Sequence, residues 1–396
     1  MKASPARVLW LVLLCLTLIL PGSLAEAQTL REGSKGKAVA DLHMRLFDLG
    51  YLGSVKKAGD RYTKHTAVAV VSFQAANGLE TSGLADAATQ ERLFAPGAVK
   101  APLPEDRPLY NIDPDAAPPL PVELMPLTDD GGFLPPGSEH FLYENREDGV
   151  WCYLSDRLCV HIIRYVQAEG QLEWFEAYIQ AREGAGPISL ASQRDGKSVE
   201  PPLKIAQREN VLFAITDDFY YYRATNNERT GIIIRDGVIR GEKTVAHTHN
   251  RFPTLDVLAL FEDGSMRTFA SDAHTAQEYL DMGVTDTWAF GPTLVQEGEV
   301  PRYFYSQDYQ SYREPRCALG MISPGEYCAL MVTGRKTGSK GATLGWMAEK
   351  MLAMGAVEVL NLDGGGTAAI IFNGQLINRP ELKQSTRPVS GLIVFH

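Results

Sequence analysis

Val357-Glu358-Val359-Leu360-Asn361-Leu362-Asp363-Gly364-Gly365-Gly366-Thr367 is an apolar strand that runs into three consecutive glycines. A strand ending this way presents bare backbone to whatever lies beyond it. Glycine adopts φ > 0 at no steric cost, so three in a row let their N–H groups converge on one point, a nest suited to a phosphate or other oxyanion. Asp363 sets a carboxylate beside that point. A carboxylate repels a bare dianion, so the pairing favours proton transfer or a bridging cation over simple phosphate storage. Taken alone, the triplet reads more simply as a tight turn with a solvated aspartate. What surrounds it reverses that reading.

Outward from this stretch the pattern is one of strands joined by tight turns. Ile232-Ile233-Ile234-Arg235-Asp236-Gly237-Val238-Ile239, Leu258 to Met266 around Asp263-Gly264, and Ile370 to Leu376 around Asn373-Gly374 each place Asp-Gly or Asn-Gly between apolar runs. These are hairpin signals, because both central residues of a type I′ turn need φ > 0. Mixed sheets with few helices are expected from about Phe141 onward. One helix starts at Thr275, with Glu278 completing a capping box, and ends at Gly283; another runs from Thr343 to Gly355. They open an internal echo. Leu280-Asp281-Met282-Gly283 through Phe290-Gly291-Pro292 parallels Leu352-Ala353-Met354-Gly355 through Asp363-Gly364, each as helix, Met-Gly cap, strand and glycine loop. Pseudo-symmetric halves would bring both glycine loops to the same side of a sheet, where a crevice forms. A match this short arises equally by coincidence.

The N-terminal third differs in kind. Residues 1–27 have the pattern of a secretory signal: Lys2 and Arg7, an apolar run from Val8 to Leu20, and Ala25-Glu26-Ala27 before Gln28. Residues 30–95 carry three short helical patterns, the first with Val39, Leu42, Leu46 and Leu49 ending at Gly50. His43 and His65 are expected on its surface. Residues 96–137 hold eleven prolines, from Pro96 to Pro136, and read as a semi-rigid spacer. Residues 138–396 form the larger unit. The fold class is therefore α+β: a small all-α three-helix domain, a Pro-rich linker and a larger mixed domain rich in hairpins.

A net charge of −10 without a Lys/Arg cluster argues against nucleic acid and anionic membranes as partners. After signal removal no segment is long enough to span a bilayer. Four cysteines remain in the exported chain. A two-residue turn at Ser155-Asp156 would set Cys152 opposite Cys159 as a disulfide. A turn at Pro324-Gly325 leaves Cys317 and Cys328 out of register, as buried thiols. No cysteine has zinc-ligand spacing.

Two families share these motifs. Arg31-Glu32-Gly33-Ser34-Lys35-Gly36, Leu49-Gly50-Tyr51-Leu52, Phe73-Gln74 and Asn77-Gly78-Leu79 resemble the peptidoglycan-binding domain of bacterial wall enzymes. The resemblance implies anchoring to murein and no catalysis. Phe290-Gly291-Pro292, Pro315-Arg316 with Ala318-Leu319-Gly320, Val332-Thr333-Gly334-Arg335 with Ser339-Lys340-Gly341, and Asn361 to Thr367 resemble the phosphodiester glycosidase family over roughly residues 205 to 395. That resemblance implies cleavage between a sugar C1 and a phosphodiester oxygen. Arg316 and Arg335 would each fork two donors onto phosphate oxygens. Asp363 is the first choice for the required carboxylate and Asp218 the second. Asn361, Gly364, Gly365, Gly366, Thr367, Gly291, Ser339 and Asp217 are expected to bind substrate. The plainer reading of each arginine is half of a surface ion pair, the usual fate of an isolated Arg.

One departure from the family pattern concerns the strand ending Ala214-Ile215-Thr216-Asp217-Asp218. Thr216 stands where many members have Asn, and two carboxylates follow. Asp217, Asp218 and Asp363 are the groups a divalent cation would use, though the sequence requires no cofactor. Tyr220, Tyr221, Tyr222 and Trp288 could stack on a sugar, although aromatics beside strands are more often core. His247 and His249 fall in a predicted loop. The sequence thus points to an exported, wall-associated hydrolase of glycosyl phosphodiesters in wall or exopolysaccharide glycans. The competing class is a non-catalytic polysaccharide-binding protein of capsule or exopolysaccharide assembly. A murein hydrolase has support from the anchor alone.

Overall fold

The structure, a computed structural model, describes residues 28–53, 59–102, 112–192, 198–218, 230–244, 254–305, 312–378 and 387–396. The signal pattern, Tyr220 to Tyr222, His247 and His249 lie outside them. The chain divides into two compact units, Met1–Ala101 and Pro102–His396.

In the first unit the three helices are α1 (Lys37–Asp48), α2 (Lys64–Ala76) and α3 (Ala87–Phe94). Thr63 and Thr66 form a reciprocal capping box at the start of α2, and the Asp86 side chain accepts from the Thr89 N–H at 2.8 Å. Val39, Leu42 and Leu46 bury against Val70, Phe73 and Leu93. His43 is fully buried rather than on the surface. It follows Val39 by four residues and so shares the buried stripe of α1. Both ring nitrogens are satisfied, one by the Gly59 carbonyl at 2.8 Å and the other by the Thr66 hydroxyl at 2.9 Å. His65 is exposed.

Part of the proline-rich stretch is built into the second unit. The Asp115 N–H donates to the Val166 carbonyl at 3.0 Å, and the Gln167 amide donates to the Asp113 carbonyl at 2.6 Å. Phe133 and Leu134 are buried with Leu154 and Cys159. The apolar pair Phe133-Leu134 outweighs the extended preference of the prolines around it, so the described residues from 112 to 137 are not a free spacer.

The second unit opens with Phe141–Asn145 (β1), Val150–Leu154 (β2), Leu158–Gln167 (β3) and Leu172–Ala181 (β4), all consecutive antiparallel neighbours. Ile188–Ala191 (β5), a short helix α4 (Pro202–Arg208) and Phe213–Thr216 (β6) follow. Next come the hairpin Gly231–Arg235 (β7) and Val238–Lys243 (β8), then Asp256–Phe261 (β9) and Met266–Phe269 (β10). Helix α5 (Ala276–Asp281) leads to Val284–Phe290 (β11) and Thr293–Val295 (β12). Arg316–Ser323 (β13), Glu326–Val332 (β14), helix α6 (Leu344–Ala353) and Glu358–Leu362 (β15) precede the glycine turn. Ile370–Phe372 (β16), Gln375–Leu376 (β17) and Gly391–Phe395 (β18) close the fold.

An eight-stranded sheet runs β1-β2-β3-β4-β14-β13-β15-β12, a five-stranded one β17-β16-β6-β18-β5 and a three-stranded one β10-β9-β11. Pairings between these named strands are antiparallel where mixed sheets were expected. Alternation along the strands explains the layering. On β14, Ala329 and Met331 face the five-stranded sheet, while Cys328, Leu330 and Val332 lie under Trp346, Met347 and Met351 of α6. On β18, Ile393 and Phe395 point into the same inter-sheet core, and Leu392 and Val394 pack on Ile205 and Ala206 of α4. Both faces of each strand are covered, which is why these strands read as unbroken apolar runs.

The expected hairpins form: Asp236-Gly237 and Asn373-Gly374 both have positive φ at each residue. Both predicted helices start at their threonine caps. The cysteine expectation fails at the first hairpin. Leu154 pairs with Cys159 and Cys152 with His161, a two-residue shift caused by a longer turn, and both thiols are free. Cys317 and Cys328 are buried free thiols out of register, with Gly320 opposite Cys328.

Candidate active site

Four elements end at one place because their terminal backbone groups bond to one another. The Asp363 N–H after β15 donates to the Asp217 carbonyl after β6 at 3.2 Å. The Gly365 N–H donates to the Pro315 carbonyl before β13 at 2.8 Å, and the Gly291 N–H after β11 donates to the Asn361 carbonyl at 3.0 Å. The two echoing glycine loops therefore meet, although their strands belong to different sheets.

The glycines do not form the converging nest. Gly365 to Thr367 coil into a single 3₁₀ turn. Gly364 directs its N–H to the Asp363 carboxylate at 2.8 Å, Gly365 to Pro315, and the Thr367 N–H returns to the Gly364 carbonyl at 3.2 Å. A short turn satisfies its own donors, which leaves the loop without three amides free for one oxyanion. Close packing is what demands glycine here. A Cβ on Gly364 would stand 2.7 Å from the Pro315 carbonyl oxygen.

Guanidinium groups lie where the converging amides were expected. The Arg335 guanidinium lies against Gly365, within 3.4 Å of where a Cβ would be, and its Nε donates to Glu314 at 2.6 Å. Arg316 has a buried Nε with no partner, and burial lowers the pKa of its guanidinium. A third arginine, Arg387, was not anticipated from sequence. Its N–H donates to the Gly366 carbonyl at 2.6 Å, and its side chain lies over Gly366. It is brought in from a stretch 21 residues beyond Gly366, with no local pattern to mark it.

Asp363 stands at the head of this turn, within the field of Arg387. Its Oδ2 is closed off from solvent and has no partner. Burial pushes its pKa up to about 7, and the charge of Asp218 adds to the rise; the Gly364 amide, the Thr367 hydroxyl and Arg387 oppose it. Near neutral pH such a carboxyl exists in both protonation states, the condition for proton exchange.

The remaining predicted residues divide into those that frame this point and those that do not reach it. Asp218 is buried with Oδ2 accepting from Arg235 and from the Ala289 N–H, both at 3.2 Å. Its ion pair with Arg235, a residue read only as part of a hairpin, makes it a fixed charge beside Asp363. Asp217 is buried with its Oδ2 against Gly391, where a Cβ would clash at 2.4 Å. Among the described residues no group of three His, Cys, Asp or Glu side chains is arranged to hold a metal ion, so the three aspartates do not make a ligand set. Thr216, in the place of the family's Asn, is an anchor: its hydroxyl donates to the Thr367 carbonyl at 2.7 Å and accepts from the Ala369 N–H at 2.9 Å. Asn361 is buried and holds the Gly291 carbonyl at 2.8 Å. The Thr367 hydroxyl donates to the Gly364 carbonyl at 2.6 Å. Ser339 is fully buried and braces the Thr333 carbonyl at 2.8 Å, out of reach of a ligand. Trp288 is core, its indole N–H donating to Ser189 at 2.8 Å, so it does not stack on a sugar.

Residues 209–396 match the family described as phosphodiester glycosidase, and residues 35–93 match the peptidoglycan-binding domain family. Over 181 residues the chain is 28% identical to the SPbeta prophage-derived uncharacterized protein YomE of Bacillus subtilis (strain 168), covering 45% of this chain and 27% of that protein. Over 87 residues it is 40% identical to the Bos taurus N-acetylglucosamine-1-phosphodiester alpha-N-acetylglucosaminidase, covering 20% of this chain and 16% of that protein. The chain thus spans roughly a quarter or less of the curated relatives it matches. Among solved structures, the catalytic domain of the zebrafish N-acetylglucosamine-1-phosphodiester alpha-N-acetylglucosaminidase, auto-inhibited by its pro-peptide, aligns with a TM-score of 0.48 at 15% identity, over 61% of this chain and 84% of that one. A phosphodiester-glycosidase-like domain therefore follows a peptidoglycan-binding-like one.

Proposed function

We propose that this chain, whose residues 209–396 match the phosphodiester glycosidase family, is a hydrolase that cleaves the bond between a sugar C1 and a phosphodiester oxygen. The observation that carries this reading is the Asp363 carboxyl, poised at about 7, at the head of a glycine turn against which the guanidinium groups of Arg335 and Arg387 lie, with Arg316 on the strand beside it. Cations at that place bind the phosphodiester and stabilise the monoester as charge gathers on it. A phosphate ester leaves readily, so the demand on the protein falls on C1, where an oxocarbenium-like centre develops and water must add. Asp363 in its ionised form accepts the proton of that water as the C1–O bond breaks. Asp218, held by Arg235, adds to the rise that burial causes in the Asp363 pKa and does not itself react.

The protein as a whole reads as exported and held at the cell wall by its N-terminal domain. No helix among the described residues is long and apolar enough to cross a membrane. The substrate we favour is the N-acetylglucosamine-1-phosphodiester that joins anionic polymers to the wall, since the anchor would keep the enzyme beside it.

A chromogenic sugar-1-phosphodiester and purified wall with the linkage intact test this reading. Release of reducing sugar by the full chain, lost in Asp363→Asn, is the expected result. Glycan binding without turnover under any cation condition would instead favour a polysaccharide-binding protein.

A further inference from the structure

We propose that a cavity of about 430 Å³ beside the glycine turn binds an acidic saccharide unit, a sugar ring bearing a carboxylate or a phosphate. The cavity lies where the ends of β2, β3 and β4 face the segment that follows β17. Its volume is in the range of small-ligand pockets. The inference rests on the reading above, that the glycine turn handles glycosyl phosphodiesters, and it names a second recognition element on the same substrate.

Charge carries the argument. Three half-buried cations line the cavity: Arg146, Arg164 and Lys336. Lys336 is neutralised by an ion pair with Glu173. Among the described residues Arg146 donates to the Gln375 side-chain oxygen at 2.8 Å, and Arg164 to the Glu147 carbonyl at 3.0 Å. Neither guanidinium is paired with a carboxylate among the described residues. The Glu147 carboxylate on the cavity wall is the group that would compete with an incoming anion. A guanidinium that keeps donors in a partly desolvated recess is a fork for a planar carboxylate or a phosphate. Trp151 and Phe175, with ring centroids 5.9 Å apart, supply an apolar floor.

Position links the cavity to the chemistry. Lys336 follows Arg335, whose guanidinium lies against Gly365. Asn378, on the cavity wall, donates to the Ala368 carbonyl at 3.1 Å and accepts from the Ile370 N–H at 3.2 Å, so one wall is tied to the end of the turn that begins at Asp363. A glycan whose phosphodiester meets Arg335 can place a neighbouring sugar in this cavity.

Calorimetric titration of the full-length Asp363→Asn chain tests the proposal without turnover. The probes are N-acetylmuramic acid, N-acetylglucosamine 6-phosphate and neutral N-acetylglucosamine. At least one acidic sugar is expected to bind roughly tenfold tighter than the neutral one, and the preference between the two acids separates a carboxylate from a phosphate ligand. Adding Arg146→Gln or Arg164→Gln should abolish that preference, which also separates this site from binding by the N-terminal unit. Glu147→Gln, at an exposed residue, should raise it about twofold. Equal affinity for neutral and acidic sugars, or a preference that survives both arginine changes in folded protein, overturns the inference. Hydrolysis by the unmodified chain without any acidic preference would sink this inference alone; acidic preference without hydrolysis would sink the enzymatic reading alone.

Discussion

The loops at Gly291 and at Gly364 to Gly366 share a local plan, a helix with a Met-Gly cap and a strand that stops in glycine, yet they end in different roles. Gly291 has φ 84°, and a Cβ there would stand 2.4 Å from the Thr254 hydroxyl and 3.2 Å from the half-buried Asp256 carboxylate. Its N–H and carbonyl are both held by Asn361. Nothing is left over for a ligand, so the first loop is framework. The second loop also closes its own donors, but the guanidinium groups of Arg335 and Arg387 lie against it and its strand ends in an acid with one oxygen unpartnered. The difference lies in what surrounds the glycines, not in the glycines.

The strongest way to break this contrast is at Asp363. Asp363→Asn should lower turnover of a sugar-1-phosphodiester by about a thousandfold, on the order of 4 kcal/mol, while leaving circular dichroism unchanged. The same substitution should stabilise the fold in a pH-dependent way. Because the folded pKa is raised, from 3.8 to about 7, the folded state holds the proton more tightly and loses stability as pH rises through that window. The Asn variant should match the parent near pH 4 and exceed it at pH 8 by on the order of 4 kcal/mol. Melting curves at the two pH values check this.

Gly291→Ala should cost about 3 kcal/mol through the positive φ and the clash with Thr254. Chemical denaturation would show it, with the helical N-terminal unit unaffected. Arg316→Gln should reduce kcat/KM about a hundredfold, and an unchanged value would mean that its unpartnered Nε has no role in binding phosphate. The smallest effect is expected at Gly365→Ala. The neighbouring Arg335 can shift by a few tenths of an ångström, so the cost is about 1 kcal/mol, mainly from φ 63°. A loss as large as that at Gly291 would erase the distinction between the two loops.

Much of this arrangement was written in local sequence, because turns and caps depend on a few neighbouring residues. Thr275 and Glu278, Thr343, Asp236-Gly237 and Asn373-Gly374 each fix a boundary through their own hydrogen bonds or their tolerance of positive φ. The helical spacing of Val39, Leu42 and Leu46 likewise set the first unit, and Asp363 was marked by the glycines after it. Tertiary structure decided the rest. Arg387 reaches Gly366 and Arg235 reaches Asp218 only through sheet closure, and the same closure turned Ser339 and Trp288 inward. Burial raised the Asp363 pKa, and burial is a property of what packs around a residue. The physical reason is range: backbone preference acts over a turn, while desolvation and charge act through space between residues the chain keeps far apart.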